Sequence, residues 1–282
     1  MSGKRPTILV FDSGVGGLTV LAPIRQARPD ADYVYVGDTA CFPYGDLPEQ
    51  QLIDRVTAVI TAMADRFKPD LIVVACHTAS TLVLPELRSR LAIPIIGTVP
   101  AIKPAAEQSK SKLVTVLATQ GTVKRDYTAG LIRDYASDCD VTLVSARLLA
   151  GHAEAVLRGE HVEDAAILKE IAPAFVTKGE RRTDCIVLAC THYPLLMDVF
   201  ERVAPWPVQW IDPAPAIARR VVQLLGESKT DTAPSKAGIA LLTQESGWTA
   251  ALEKAFATYG LDRFLNASLP DGPNVPAKGF GV

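Results

Sequence analysis

Several features are missing from this 282-residue chain, and each absence narrows what it can be. There is no excess of charge: 29 basic against 31 acidic residues leave a net charge of -2, no electrostatic case for nucleic acid or an anionic membrane. No apolar run approaches the ~20 residues needed to span a bilayer. The opening residues lead into a strand-like segment of only about five residues, too short for a signal-peptide core. The five cysteines, an odd number, lack the spacing of a disulfide framework and fit free thiols in a reducing compartment. A cytoplasmic protein is expected. No low-complexity tract appears before 269–274, where Leu-Pro-Asp-Gly-Pro-Asn breaks all periodicity and is expected to fray.

What is present is an ordinary globular composition, 48% hydrophobic and 21% charged, in a chain long enough for one large domain or two smaller ones. Apolar runs predict strands at 7–11, 33–36, 71–75, 93–97, 113–118, 141–145, 185–189, 208–212 and 239–243. Between most of them lie helical patterns. The clearest places Leu52, Ile53, Val56, Val59, Ile60, Met63 and Phe67 on one face. Others start at Gly17, Thr122, Val162, Ala214 and Trp248. Such alternation implies an α/β fold with parallel sheets and right-handed crossovers. Proline-rich stretches around 94–104 and 212–215 are the expected crossings between two lobes. The first lobe comprises 1–98 plus 213–282 and carries Cys76; the second comprises 99–212 and carries Cys190. The active site is expected in the cleft between them.

One segment occurs twice. Residues 70–78 read Asp-Leu-Ile-Val-Val-Ala-Cys-His-Thr, and 184–192 read Asp-Cys-Ile-Val-Leu-Ala-Cys-Thr-His. Each is a β-branched apolar run, a buried parallel strand in this reading, ending in Ala-Cys and a Thr/His pair. Open α/β sheets bind ligands at the carboxyl ends of their strands. A lone buried cysteine is usually inert. Two in matched positions suit stereoinversion at carbon, where one group removes a proton and the other delivers one to the opposite face. Cys76, His77, Cys190 and His192 also add up to a zinc-type ligand set. However, adjacent Cys76 and His77 do not match the usual ligand spacings, so no metal is expected.

Two further loops follow strands. Asp12-Ser13-Gly14-Val15-Gly16-Gly17 runs from a strand into a helix, either as a purely structural tight turn or as a loop whose N–H groups suit an anion, a carboxylate rather than a nucleotide phosphate. The third glycine of the dinucleotide fingerprint and any Gly-Lys-Ser/Thr are absent. Asp12 is expected to face the cleft. Gly37-Asp38 leads to Pro43-Tyr44-Gly45, either a plain loop or a turn offering backbone donors and a phenol to a ligand. Cys41 is expected to be structural, and His152 and His161 to lie on the surface.

On these motifs the chain resembles the glutamate racemases of the cofactor-independent aspartate/glutamate racemase superfamily, from about residue 7 to 225. The resemblance rests on Asp12-Ser13-Gly14 with Gly16-Gly17, Gly37-Asp38 with Pro43-Tyr44-Gly45, Ala75-Cys76 with Thr78-Ala79, and Cys190-Thr191-His192-Tyr193-Pro194-Leu195. It implies two pseudo-symmetric α/β lobes enclosing the substrate, no cofactor, and Cys76 and Cys190 as the acid/base pair. Asp12, Ser13, Tyr44, Gly45, His77, Thr78, Thr191 and His192 would hold the amino acid, with Asp12 assisting Cys76 and His192 assisting Cys190. Glu154 is a further match in a weak local motif, and Thr119 and Thr122 are further candidates to line the cleft. One departure is His77, where the family usually has asparagine.

The expectation is racemisation of L- and D-glutamate, supplying D-glutamate for peptidoglycan precursors in a homodimeric enzyme. Rival readings are a related racemase or isomerase of aspartate, a hydantoin or a dicarboxylate, and a non-catalytic module that binds carboxylate or phosphate.

Overall fold

The computed structural model describes residues 5–228, 238–244 and 247–267; the 269–274 stretch lies outside them. The strands are β1 (Thr7–Asp12), β2 (Asp32–Gly37), β3 (Leu71–Val74), β4 (Ile95–Gly97), β5 (Leu113–Ala118) and β6 (Asp140–Ser145). Then come β7 (Thr177–Lys178), β8 (Arg181–Arg182), β9 (Cys185–Ala189), β10 (Gln209–Ile211), β11 (Gly238–Leu242) and β12 (Leu261–Asn266). The α-helices that open the chain are α1 (Leu18–Ala27), α2 (Glu49–Phe67), α3 (His77–Arg90) and α4 (Ile102–Gln108). They continue with α5 (Gln120–Val123), α6 (Asp126–Tyr135), α7 (Leu149–Leu157) and α8 (Asp164–Ile171). The last are α9 (Met197–Val203), α10 (Ala214–Leu225) and α11 (Ala250–Thr258).

Two sheets, each wholly parallel, form two lobes. The first runs β12-β11-β2-β1-β3-β4 and the second β10-β9-β5-β6. The core of each repeats one order: β2-β1-β3-β4 in the first is matched by β6-β5-β9-β10 in the second. In both, the chain leaves the central strand to one side and then returns to the other. That switch opens a crevice at the carboxyl ends of β1 and β3, and again at those of β5 and β9. Cys76 follows β3 and Cys190 follows β9, so the repeated sequence occupies equivalent places.

Both faces of each sheet are covered, which explains strands that are apolar throughout rather than alternating. Leu9, Val10 and Phe11 are wholly buried, as are Ile186 and Val187. Helix α2 buries the expected stripe, Leu52, Val56, Val59, Ile60 and Met63, against β1 and β3. It stops at Lys68, whose left-handed backbone (φ 47°) caps the helix before Pro69. Helix α10 packs into the first lobe's core beside α1, whereas α4 packs into the second lobe's core.

Several elements were not expected from the sequence, among them α9, β7 and β8. Helix α3 buries His77, Thr78, Ala79 and Ser80 and contains Pro85, so its inner face is not an apolar stripe. Helices α4 and α7 are short and rich in alanine, and β12 carries exposed charges. Among the described residues, no helix is long and apolar enough to cross a membrane.

Candidate active site

The two crevices face each other across the lobe boundary. Between them lies a cavity lined by Ser13, Phe42, Pro43, Tyr44, Gly45, Cys76, His77, Thr78, Thr119, Ala150, Cys190, Thr191 and His192. Nine of the ten residues expected at the site therefore line one space, and Asp12 does not. The free volume is about 20 Å³, room for one or two waters. Entry of anything larger requires the walls to part.

Cys76 is the N-cap of α3, where first-turn N–H groups favour negative charge. Burial and the nearby Asp12 carboxylate push its thiol up to about 12, against hydrogen bonds from Ala79 N–H and with Ser13. The Cys76 Sγ donates to Ser13 Oγ at 3.6 Å. Cys190 Sγ lies 3.8 Å from Nδ1 of His192.

His192 is 1% exposed and tightly held. Its Nε2 is 3.0 Å from Glu154 Oε1, and its ring sits 5.2 Å from that of Phe42. Burial alone would favour the neutral ring, but Cys190, Glu154 and Asp12 outweigh it and raise the pKa well above the usual value. Burial likewise opposes charge on Glu154. Here His192, Val15 N–H and Arg158 prevail and lower its pKa.

The structure corrects the expectation for the glycine loop. The N–H groups do cradle carboxylates, but the protein supplies them. Gly14 N–H donates to Asp12 Oδ2 (3.2 Å), Val15 N–H to Glu154 Oε1 (2.8 Å), and Gly16 N–H points at His192 Nε2 (3.2 Å). The glycines are there because the second lobe lies on this backbone. A Cβ at Gly14 would meet Glu154 at 2.3 Å, and one at Gly16 would meet the His192 ring at 2.4 Å.

Asp12 is also corrected. It is wholly buried and does not line the cavity, and Oδ1 accepts the Thr191 hydroxyl at 3.0 Å. Burial raises its pKa, opposed by His192 and by bonds from Gly14 and Thr191. Tyr44 does not offer a phenol to a ligand, because its hydroxyl donates to Asp38 Oδ2 at 2.5 Å. Asp38 also accepts from Arg55 and Thr243. The Thr78 hydroxyl meets those of Thr119 and Thr122 across the lobes at 2.8 and 3.3 Å, and these two lie 3.2 Å apart.

His77 is 2% exposed and both ring nitrogens lack a partner. Burial pulls its pKa down to about 3, so the ring is neutral. Among the described residues, no group of three or more His, Cys, Asp or Glu is arranged to hold a metal ion. Cys41 is buried, its thiol pushed up to about 11 by burial and Asp38. His161 is exposed, as expected. His152 is not: it is half-buried, with Nε2 shielded and unpartnered.

Sequence reasoning missed Phe42 and Ala150 altogether. A single aromatic before Pro-Tyr-Gly, and an alanine in an alanine-rich helix, carry no signal of a cavity assembled from residues distant in the chain.

A family model described as Asp/Glu/hydantoin racemase matches residues 20–221. A glutamate racemase of Brucella anthropi is 53% identical over 229 residues, 81% of this chain and 82% of that protein. The crystal structure of Escherichia coli glutamate racemase, in complex with L-glutamate and the activator UDP-MurNAc-Ala, aligns with a TM-score of 0.87 and 39% identity. The alignment covers 95% of this chain and 100% of that one. A glutamate racemase isoform of Bacillus anthracis aligns at 0.77 with 25% identity, over 96% and 100%. With its repeated β-α core and a thiol at each switch point, the chain belongs to the Asp/Glu/hydantoin racemase family.

Proposed function

We propose that this chain interconverts L- and D-glutamate without a cofactor, with Cys76 and Cys190 as acid/base groups on opposite faces of the substrate Cα. The observation that carries the reading is the shared cavity, to which the first lobe brings Cys76 and the second brings Cys190. One thiolate takes the α-proton, and the electron pair left on carbon spreads into the α-carboxylate. The opposite thiol gives its proton to the other face, so the two sulfurs exchange protonation states. The reverse reaction then starts from the product. The high pKa of Cys76 suits the delivering role. When it removes a proton, the α3 N-terminus and Ser13 support the thiolate, and Asp12, with its raised pKa, can take a proton. On the other side, His192 Nδ1 can pass a proton to or from Cys190.

Ser13, Gly45, His77, Thr78 and Thr191 bind the amino acid in this reading, and Tyr44 contributes its ring and backbone. Closure of the walls removes water, which strengthens each polar contact on the developing carboxylate charge. Supply of D-glutamate to peptidoglycan precursors, by a homodimer in the cytoplasm, completes the proposal; the family relationship supports it. The non-catalytic anion-binding alternative loses its main support, because the loop's N–H groups are taken by Asp12 and Glu154.

The test is to incubate purified protein with each enantiomer of glutamate and of aspartate and follow optical rotation. Glutamate should run to zero rotation from either side, and aspartate should not. Racemisation of aspartate with inert glutamate would overturn the substrate assignment.

A further inference from the structure

The segment 42–49 belongs to the first lobe by sequence but fastens to the second. Phe42 packs against the second lobe's apolar core. Gly45 lies beside Thr119 and Gly121, Asp46 pairs with Arg147 at 3.8 Å, and Glu49 pairs with Arg125. The underside of this strap, Phe42 to Gly45, roofs the cavity. In this closed arrangement about 20 Å³ of free volume is left beneath it.

Here the Phe42 ring rests against His192. The ring centroids are 5.2 Å apart at 42°. Its Cδ2 also lies 3.1 Å from where a Gly14 Cβ would stand, so it fills the space between loop and imidazole. On the ring's remaining sides, His192 meets Glu154 through Nε2, Gly16 N–H, and Cys190 and Thr191 near Nδ1. The titratable groups acting on it are Glu154 and Cys190 in contact and Asp12 through its charge. Among the described residues, Phe42 is the aromatic ring that packs against it. An aromatic ring against an imidazolium both excludes water and favours the cation.

We propose that Phe42 is a positioning residue of the closed state: it fixes the His192 imidazole in line with Cys190 and leaves the Cys76 side untouched. This rests on the two-thiol reading above. Strap closure then completes one of the two proton-transfer units each time substrate is enclosed.

The asymmetry makes it testable. In Phe42→Ala, kcat should fall about 10- to 100-fold, the range for a misplaced acid/base group, while KM for glutamate changes less than about threefold. With α-deuterated L- and D-glutamate, the primary isotope effect should rise for the enantiomer that Cys190 deprotonates. For the other enantiomer it should fall towards one, because reprotonation by Cys190 then limits turnover. Phe42→Leu, which keeps most of the apolar contact, should lie between wild type and Phe42→Ala and guards against a variant that fails to fold. A loosened structure would move both isotope effects alike. Equal movement, or unchanged kcat in both variants, overturns the proposal. Absence of racemisation in the wild type would instead overturn the function on which it rests.

Discussion

Substituting Gly16 by alanine tests how closely the second lobe must approach the glycine loop. The new Cβ would stand 2.4 Å from Nδ1, 2.6 Å from Cγ and 2.7 Å from Cε1 of His192. Ordinary contact begins near 3.4 Å, so ring and loop must separate by about 1 Å. The Cys190 Sγ to Nδ1 distance is already 3.8 Å, and a shift of that size breaks the contact. Gly16 does not have a left-handed backbone, so alanine brings the clash without added strain. Misplacement by 1 Å costs about 100-fold in rate. The equilibrium constant between enantiomers is unity, so kcat/KM must fall by the same factor in both directions. Crowding of about 1–3 kcal/mol should also lower Tm by roughly 2–10 °C. Gly151→Ala on α7 is the control, since a Cβ there meets nothing within 4 Å. Circular dichroism from both enantiomers, with thermal melts, measures the effect. If Gly16→Ala keeps activity within about threefold of wild type, the close approach of His192 to this backbone is not what requires glycine.

His77→Asn should lessen acid lability. The unfolded His77 binds a proton below about pH 6.5, whereas the folded one stays neutral to about pH 3. Wild-type stability therefore falls as pH drops through that window, by about 5 kcal/mol at about 1.4 kcal/mol per pH unit. Urea titrations from pH 7 to 4 should show a shallower loss in the variant, and parallel curves would contradict the account. Glu154→Gln removes the carboxylate that holds His192 and the Val15 N–H. It should cost about 3 kcal/mol and at least about 100-fold in kcat. The pairing acts in two windows. Through Glu154, whose pKa is lowered, its contribution is present above the usual carboxylate range and lost in acid. Through His192, whose pKa is raised, it is present below about pH 6.5 and lost only as pH rises through the folded value. The variant's stability should vary less with pH at both ends.

The central elements were legible because buried parallel strands are continuous apolar runs, as in β1, β3, β5 and β9, and because α2 carries a full apolar stripe. Helix α3 was not, since it turns His77 and Thr78 inward to line the cavity and Ser80 inward to bond the backbone of Val74 and Thr98. Polar residues on an inner face override the apolar pattern on which sequence reading depends. At the site, Cys76 and Cys190 stood out because a repeated strand end marks equivalent positions. The role of the glycine loop was misjudged for a physical reason: its anion comes from Glu154, 139 residues away. Local sequence reports that N–H groups are available but not which carboxylate takes them. Tyr44 misled similarly, because its hydroxyl partner Asp38 precedes it in a loop whose course the sequence does not reveal.

Hydrogen exchange into glutamate in D2O by Cys76→Ser and Cys190→Ser, followed by NMR and chiral chromatography, tests the central claim most directly. Neither variant should racemise. Each should label only one enantiomer, without inverting it, and the two variants should label opposite ones. Racemisation at the wild-type rate by either, or labelling of the same enantiomer by both, would contradict a reaction carried by two sulfurs on opposite faces.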